Sequence, residues 1–173
     1  MFEKSHKANT GLRVLTHDGA YSNGNRDRAN LTVSWESEGT RTAVAIGINP
    51  SKANDTRSDK TLTTLARFLD TYGFSQFTML NIFQTYSTNQ DGINRLSRTD
   101  FSRYRDVLES ADAIFIVWGV SAAYRQEKEE ILQMLREYQD KLFCIEGTNK
   151  RSPLHPSRMS YECTIAPYIR PES

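Results

Sequence analysis

One pattern recurs along the chain: a short apolar run, a polar loop, then apolar residues at helical spacing. Ala43-Val44-Ala45-Ile46-Gly47-Ile48 leads into a polar loop and then Leu62, Leu65 and Phe68; similar runs fill residues 77–83, 113–118 and 141–145. Runs this short, apolar at nearly every position, read as strands buried on both faces. Strands alternating with helices argue for a parallel sheet covered by helices on each side. The expected fold class is therefore α/β, a three-layer α/β/α sandwich with a mostly parallel central four-stranded sheet near 42–48, 77–83, 113–118 and 141–145. Right-handed crossovers bring the carboxyl ends of such strands to one edge, where ligands of open α/β sheets bind.

The rest of the chain fits a single domain of 173 residues. Residues 1–30 read as an irregular N-terminal extension, with a short edge strand over 12–15. Leu31-Thr32-Val33-Ser34-Trp35 alternates apolar and polar side chains, as a half-buried strand does. The short turn after it suggests antiparallel pairing with the strand at 42–48. A helix from about 59 should stop at Tyr72-Gly73. Asp100 is an N-cap candidate for a helix presenting Phe101, Tyr104, Val107 and Leu108. A longer helix is expected over about 121–138. No apolar run reaches membrane-spanning length, and the start MFEKSHKANT lacks a secretory pattern. The expected location is cytoplasmic, with Cys144 and Cys163 as plain buried thiols.

Two loops carry more chemistry than connectors need. Asn49-Pro50 forces a turn after the first apolar run, since proline has no N–H and restricts the residue before it. Ser51, Lys52, Asn54, Asp55, Arg57 and Asp59 follow. The second loop is Lys150-Arg151-Ser152-Pro153-Leu154-His155-Pro156-Ser157-Arg158. Both are expected at the same sheet edge, facing each other. His155 is either a surface histidine or an imidazole that Pro153 and Pro156 hold for a reaction. Asn81, inside an apolar run, must be hydrogen-bonded: it ties a neighbouring backbone or meets a planar partner such as a nucleobase edge. Asp59 reads as a helix N-cap or, with Asp55, as a carboxylate aimed into a pocket. The chain has no His pair, CxxC, HExxH, P-loop or GxGxxG, so neither metal nor cofactor is expected.

Formal net charge is only +1, which excludes a polycation. Yet Lys150, Arg151 and Arg158 gather in the second loop and Lys52, Arg57 and Lys60 in or just after the first. The acidic side chains Glu127, Glu129, Glu130 and Glu137 lie elsewhere in the sequence. One basic edge on a near-neutral protein suits a phosphate-bearing ligand; each charge alone reads rather as a solvated loop residue, and only the cluster beside His155 reads equally either way.

Taken in order, these motifs resemble the uracil-DNA glycosylase superfamily. Gly47-Ile48-Asn49-Pro50-Ser51 is similar to its first motif, in the asparagine form of the mismatch-specific branch. Leu80-Asn81-Ile82 resembles the strand whose Asn reads the base. Phe115-Ile116-Val117-Trp118-Gly119 resembles its Trp-Gly strand, and His155-Pro156-Ser157 its last motif. A closer resemblance is to a small uncharacterised bacterial and phage family with Asn-Pro-Ser, Asp-x-Thr, Trp-Gly and His-Pro motifs. The similarity covers roughly residues 31–160, and Asp59-Lys60-Thr61 is the Asp-x-Thr segment.

The resemblance implies a DNA glycosylase that hydrolyses the N-glycosylic bond of a flipped base. It implies that Asn49 positions water or contacts the sugar, that His155 steadies the departing base, and that Asp59 or Asp55 supplies a carboxylate. Asn81, with Ile48 and Phe83 beside it, would read the base. Ser51, Lys52, Arg57, Lys150, Arg151, Ser157 and Arg158 would hold DNA phosphates. The partner implied is DNA, as a duplex with a flipped base or as a single strand, bound by a monomer away from membranes. Two departures shift the expected substrate from plain uracil to a modified base. Asn49 replaces the water-activating aspartate of the classical enzymes, and the loop after it lacks an aromatic residue to stack on the base. Two other readings stay open: a non-catalytic nucleotide- or nucleic-acid-binding module on the same fold, and an enzyme of free modified nucleosides or nucleotides.

Overall fold

The computed structural model describes residues 2–5, 12–18, 21–22, 27–28, 30–48, 56–83, 98–160 and 162–169. In chain order the elements are β1 (Val14–Asp18), β2 (Tyr21–Ser22), β3 (Asp27–Arg28), β4 (Asn30–Trp35), β5 (Arg41–Gly47), α1 (Thr56–Asp70) and β6 (Phe74–Asn81). Then come α2 (Arg105–Ser110), β7 (Ala113–Ile116), α3 (Arg125–Met134), β8 (Leu142–Glu146) and β9 (Thr164–Pro167). Short 3-10 segments occupy Phe101–Tyr104, Leu135–Lys141 and Pro156–Arg158.

β5 is central because it has no polar face to offer water. Ala43 and Ala45 enter one core with Leu65, Phe68 and Leu69 of α1, while Val44 and Ile46 enter the other with Leu108, Ile131 and Leu135. Alternate residues of β7 divide the same way, Ala113 and Phe115 against Ile114 and Ile116. Helices thus cover both faces of the sheet. Leu65 and Leu69 are fully buried, each contributing about 1.5–3 kcal/mol by leaving water.

The strand order is β1-β4-β6-β5-β7-β8-β9. The inner four, β6-β5-β7-β8, are parallel, at the positions expected from the apolar runs. The sheet nevertheless has seven strands rather than four. β4 and β1 extend it antiparallel on one side, and β9 does so on the other. The short edge strand expected over 12–15 is present as β1, shifted to Val14–Asp18.

The expected pairing of β4 with β5 does not form; β4 pairs with β6. Its alternation explains this. Leu31, Val33 and Trp35 are buried while Thr32 and Ser34 are only half-buried, so β4 suits the less covered flank. Both sides of β5 are taken by parallel partners.

Helix ends also differ from expectation. α1 begins at Thr56, so Asp59 lies in its fourth position and is not its N-cap. The helix stops as expected, with the Gly73 N–H donating to the Asp70 carbonyl at 3.0 Å. Asp100 does cap, accepting from the Ser102 N–H at 3.1 Å, but the turn it caps is 3-10 and leads into a short α2. The long helix expected over 121–138 is α3 followed by a 3-10 segment, with non-helical backbone at Tyr138. Cys144 and Cys163 are free and buried, as expected. Among the described residues no helix is long and apolar enough to cross a membrane.

Candidate active site

The chain leaves β5 through α1 to β6 on one side, then returns across β5 to β7 on the other. In doubly wound sheets ligands bind beyond the carboxyl ends of the strands at such a reversal, which here falls at β5 and β7. Backbone pairing runs past the strand ends and fixes this edge. Val117 N–H donates to the Ile46 carbonyl (3.0 Å), Ile82 N–H to Gly47 (3.0 Å) and Phe83 N–H to Ile48 (2.8 Å). Ile48, the last described residue before Asn49, is thus held beside Phe83.

Asn81 ends β6 directly opposite Gly47. It is only 6% exposed. A Cβ at Gly47 would lie 2.8 Å from Asn81 Oδ1, so the amide rests flush on the bare backbone of β5. Among the described residues its amide has no hydrogen-bond partner, which leaves donor and acceptor for a ligand at this edge. Phe83 is fully buried with its ring 5.1 Å from that of Tyr124, edge on. It backs the site rather than presenting a stacking face. Ile48 is half-buried against the same core.

His155 enters from the loop after β8. The Gly147 N–H bonds the Arg151 carbonyl (3.0 Å) and the Leu154 N–H returns to Ile145 (3.0 Å), which closes the loop back on its strand. His155 then caps the Pro156–Arg158 turn: its Nδ1 accepts from the Ser157 N–H at 3.1 Å and lies 2.8 Å from Ser157 Oγ. An Nδ1 that accepts a backbone N–H carries no proton, so the neutral ring bears its proton on Nε2. The ring keeps one side open to solvent. The surrounding protein, and next the Arg158 charge, hold its pKa below the ordinary histidine value. Gly119 lies beside His155. Its φ of +85° suits glycine, although a Cβ there would meet His155 Cβ only at ordinary contact, 3.5 Å.

Around His155 lies a recess of about 630 Å³, lined by Trp118, Gly119 and Val120 on one side and Arg151, Ser157 and Arg158 on the other. α1 packs against the Pro156–Arg158 turn. The helix that follows the Asn-Pro-Ser loop is thus seated on the His-Pro-Ser turn. Asn81, Ile48 and Phe83 belong to the same edge but do not line this recess. Arg151 and Arg158 are exposed. Lys150 is exposed too, yet pairs with Glu146 at 3.3 Å. Asn49, Ser51, Lys52 and Asp55 fall outside the described residues. Arg57 and Asp59 lie in the first turn of α1, and nothing is described of their side chains. Among the described residues no three His, Cys, Asp or Glu side chains gather as a metal site would require.

Two contributors were not read as site residues from the sequence: Gly47, which admits Asn81, and Gly119, whose positive φ turns the chain beside His155. Both carry a signal, glycine at a strand's carboxyl end, but its purpose depends on register. Ser157, expected as a phosphate contact, also orients the imidazole.

The sequence profile of a family described as "Protein of unknown function (DUF1643)" matches residues 28–157. The chain belongs to the DUF1643 family. The match ends on Ser157, so it takes in β4 to β8 and the complete His-Pro-Ser motif. No curated protein and no solved structure matches the chain. For a DUF1643 domain the carboxyl ends of β5 and β7 thus fall within the matched span, whereas β9 lies beyond it.

Proposed function

We propose that this DUF1643 protein is a DNA glycosylase, built on an α/β/α sandwich like that of the uracil-DNA glycosylase superfamily, which hydrolyses the N-glycosylic bond of a flipped, modified base. The observation that carries the reading is the tautomer of His155. With Nδ1 occupied by the Ser157 N–H, the ring is a neutral donor through Nε2 at the mouth of a recess.

Excision breaks the C1′–N bond and sends its electron pair to the base, while water adds to C1′. Positive charge develops on the sugar and negative charge on the leaving base. A fixed Nε2–H stabilises that negative charge without reorganisation. The depressed pKa keeps the donor neutral at pH 7, so it is preorganised rather than titrating. Among the described residues the Asn81 amide meets no partner, and its paired donor and acceptor suit a base's Watson–Crick edge. Arg151, Arg158 and the Ser157 hydroxyl offer phosphate contacts on the far side. Asn49 would position water or contact the sugar, and Asp59 or Asp55 would add a carboxylate facing the sugar's charge. The base must leave the stack to reach the site, a step that is cheapest where pairing is already weak.

The test is single-turnover cleavage over duplexes and single strands carrying different modified bases, scored as abasic sites. One of them should be cut, and His155→Ala should slow that cut about a hundredfold or more with little change in DNA affinity. Tight binding with no abasic site in any substrate would refute the glycosylase reading in favour of a binding module. Asn49 in place of aspartate is the observation that favours this second reading.

A further inference from the structure

A second cavity adjoins the His155 recess. It is a groove of about 1190 Å³ between the start of α3 and the Ser152-Pro153 segment, and it shares Trp118, Gly119, Val120, Ser121 and Pro153 with the recess. Any chain-like ligand filling the recess can continue into it. Its deep side is apolar: Trp118, Leu132 and Tyr168 line it, with the two rings edge-to-face at 6.4 Å. Val120, on the wall common to both cavities, is 49% exposed.

The groove also holds a cation that the protein leaves largely unanswered. Lys128 lines it and is only 9% exposed. Its ammonium donates to the Ser121 carbonyl at 2.7 Å and stands 5.7 Å from the centre of the Trp118 ring. An ammonium has three donors, and among the described residues no carboxylate pairs with this one. Burial lowers its pKa. A buried cation without a counter-ion is a standing cost that an anionic ligand would relieve. Arg125 adds an exposed cation at the rim, while Glu129 also lines the groove and keeps it from being uniformly basic. An apolar floor with one buried cation suits a planar base with a single phosphate.

We propose that this groove is a second nucleotide subsite: it takes the nucleotide joined to the one in the His155 recess, base on the apolar floor and phosphate on Lys128 and Arg125. The inference rests on reading the recess as a nucleotide site. It has a consequence for the substrate. Two successive nucleotides must leave a duplex stack together, so single-stranded or frayed DNA is the preferred form.

The experiment is competition at fixed salt: deoxymononucleotides, dinucleotides and trinucleotides displace a fluorescent single strand from the full chain, read by anisotropy. The dinucleotide should bind about tenfold more tightly than the mononucleotide, because a stacked base and a charge-assisted phosphate contact are added. Lys128→Met should abolish that gain and leave mononucleotide affinity unchanged. Arg125→Ala, at an exposed position with little bearing on folding, should reduce the gain in the same selective way. Equal affinity for mononucleotide and dinucleotide overturns the subsite while leaving the glycosylase reading intact. So does a parallel loss of both affinities in the two variants. If no strand of any length binds, the subsite and the glycosylase reading fail together.

Discussion

Replacing Gly47 with alanine should separate recognition from stability at one atom. The new Cβ would lie 2.8 Å from Asn81 Oδ1, whereas ordinary contact begins at 3.4 Å. Met79 Sδ at 3.7 Å is no obstacle, so Asn81 alone has to move. Turning its side chain off a preferred rotamer costs about 0.5–1.5 kcal/mol. Alanine recovers about 0.4–1 kcal/mol by restricting the unfolded chain, since Gly47 has no positive φ that a side chain would strain. The net loss should be about 1 kcal/mol or less, while the amide swings away from its place at the carboxyl edge. Urea unfolding followed by circular dichroism measures the first quantity. Competition between the preferred base and an unmodified one measures the second, and discrimination worth about 1–3 kcal/mol should disappear.

Gly39→Ala provides the contrast. Its Cβ would run into the Gly73 carbonyl, and backbone cannot rotate aside. It should cost several kcal/mol, beyond the usual overpacking range of about 1–3, yet leave base discrimination intact in the folded fraction. If Gly47→Ala retains discrimination, or destabilises as strongly as Gly39→Ala, the recognition role of Asn81 is wrong.

Other measurements probe the remaining elements. His155 should titrate below pH 6.5 by NMR, and Arg158→Ala should raise the midpoint; because the folded pKa is depressed, the ring's contribution to stability is present above about pH 6.5 and is lost as pH falls through the folded value. A midpoint above 6.5 would contradict the neutral donor. Lys141 donates to the carbonyls of Leu108, Glu109 and Ala111 at 2.6, 2.9 and 2.8 Å and so closes the end of α2; Lys141→Met should lower unfolding free energy by about 2 kcal/mol in urea. DNA affinity should fall steeply with salt, and Arg151→Ala or Arg158→Ala should each reduce the log–log slope by about one, whereas Lys150→Ala, already paired with Glu146, should change it less.

How far the sequence discloses this molecule depends on which property a residue shows locally. The four inner strands were legible because burial on both faces leaves an unbroken apolar run. β9 was not: Thr164–Pro167 is short, ends in proline and gains its place only from β8. The partner of β4 was misread because proximity in sequence favoured β5, while its half-buried Thr32 and Ser34 favoured a flank. The start of α1 was misread because Thr56, Arg57 and Ser58 carry no apolar periodicity. At the site, His155 and Asn81 stood out, one braced by prolines and one polar among apolar neighbours. Lys128 did not. It sits in Gln126-Glu127-Lys128-Glu129-Glu130, which reads as a solvated helix face, and only the fold turns it under Trp118.

The two edges of the sheet differ in a way that bears on function. At the amino edge the polar groups are tied to one another. Arg41 Nη1 donates to the Tyr72 carbonyl at 2.8 Å, and its guanidinium stacks on Phe2 with 4.9 Å to the ring centre. Thr42 and Asp112 exchange two hydrogen bonds, at 2.8 and 2.9 Å. Ser5 donates twice to the Thr71 carbonyl, and Lys141 spends its donors on three carbonyls. At the carboxyl edge, by contrast, the Asn81 amide, the His155 Nε2 and two of the three Lys128 donors meet no partner among the described residues. Satisfying buried polar groups is worth about 1 kcal/mol each, and leaving them open costs more. Asn81 and Lys128 are largely buried, so a ligand that met the amide and the ammonium would be favoured by relieving part of that cost. The open groups also differ in kind: a bidentate amide, a neutral donor and a cation. Together they match the three parts of a nucleotide chain that differ most, the base edge, the leaving nitrogen and the phosphate, and that match is what makes nucleic acid a better candidate than a uniformly charged or apolar ligand.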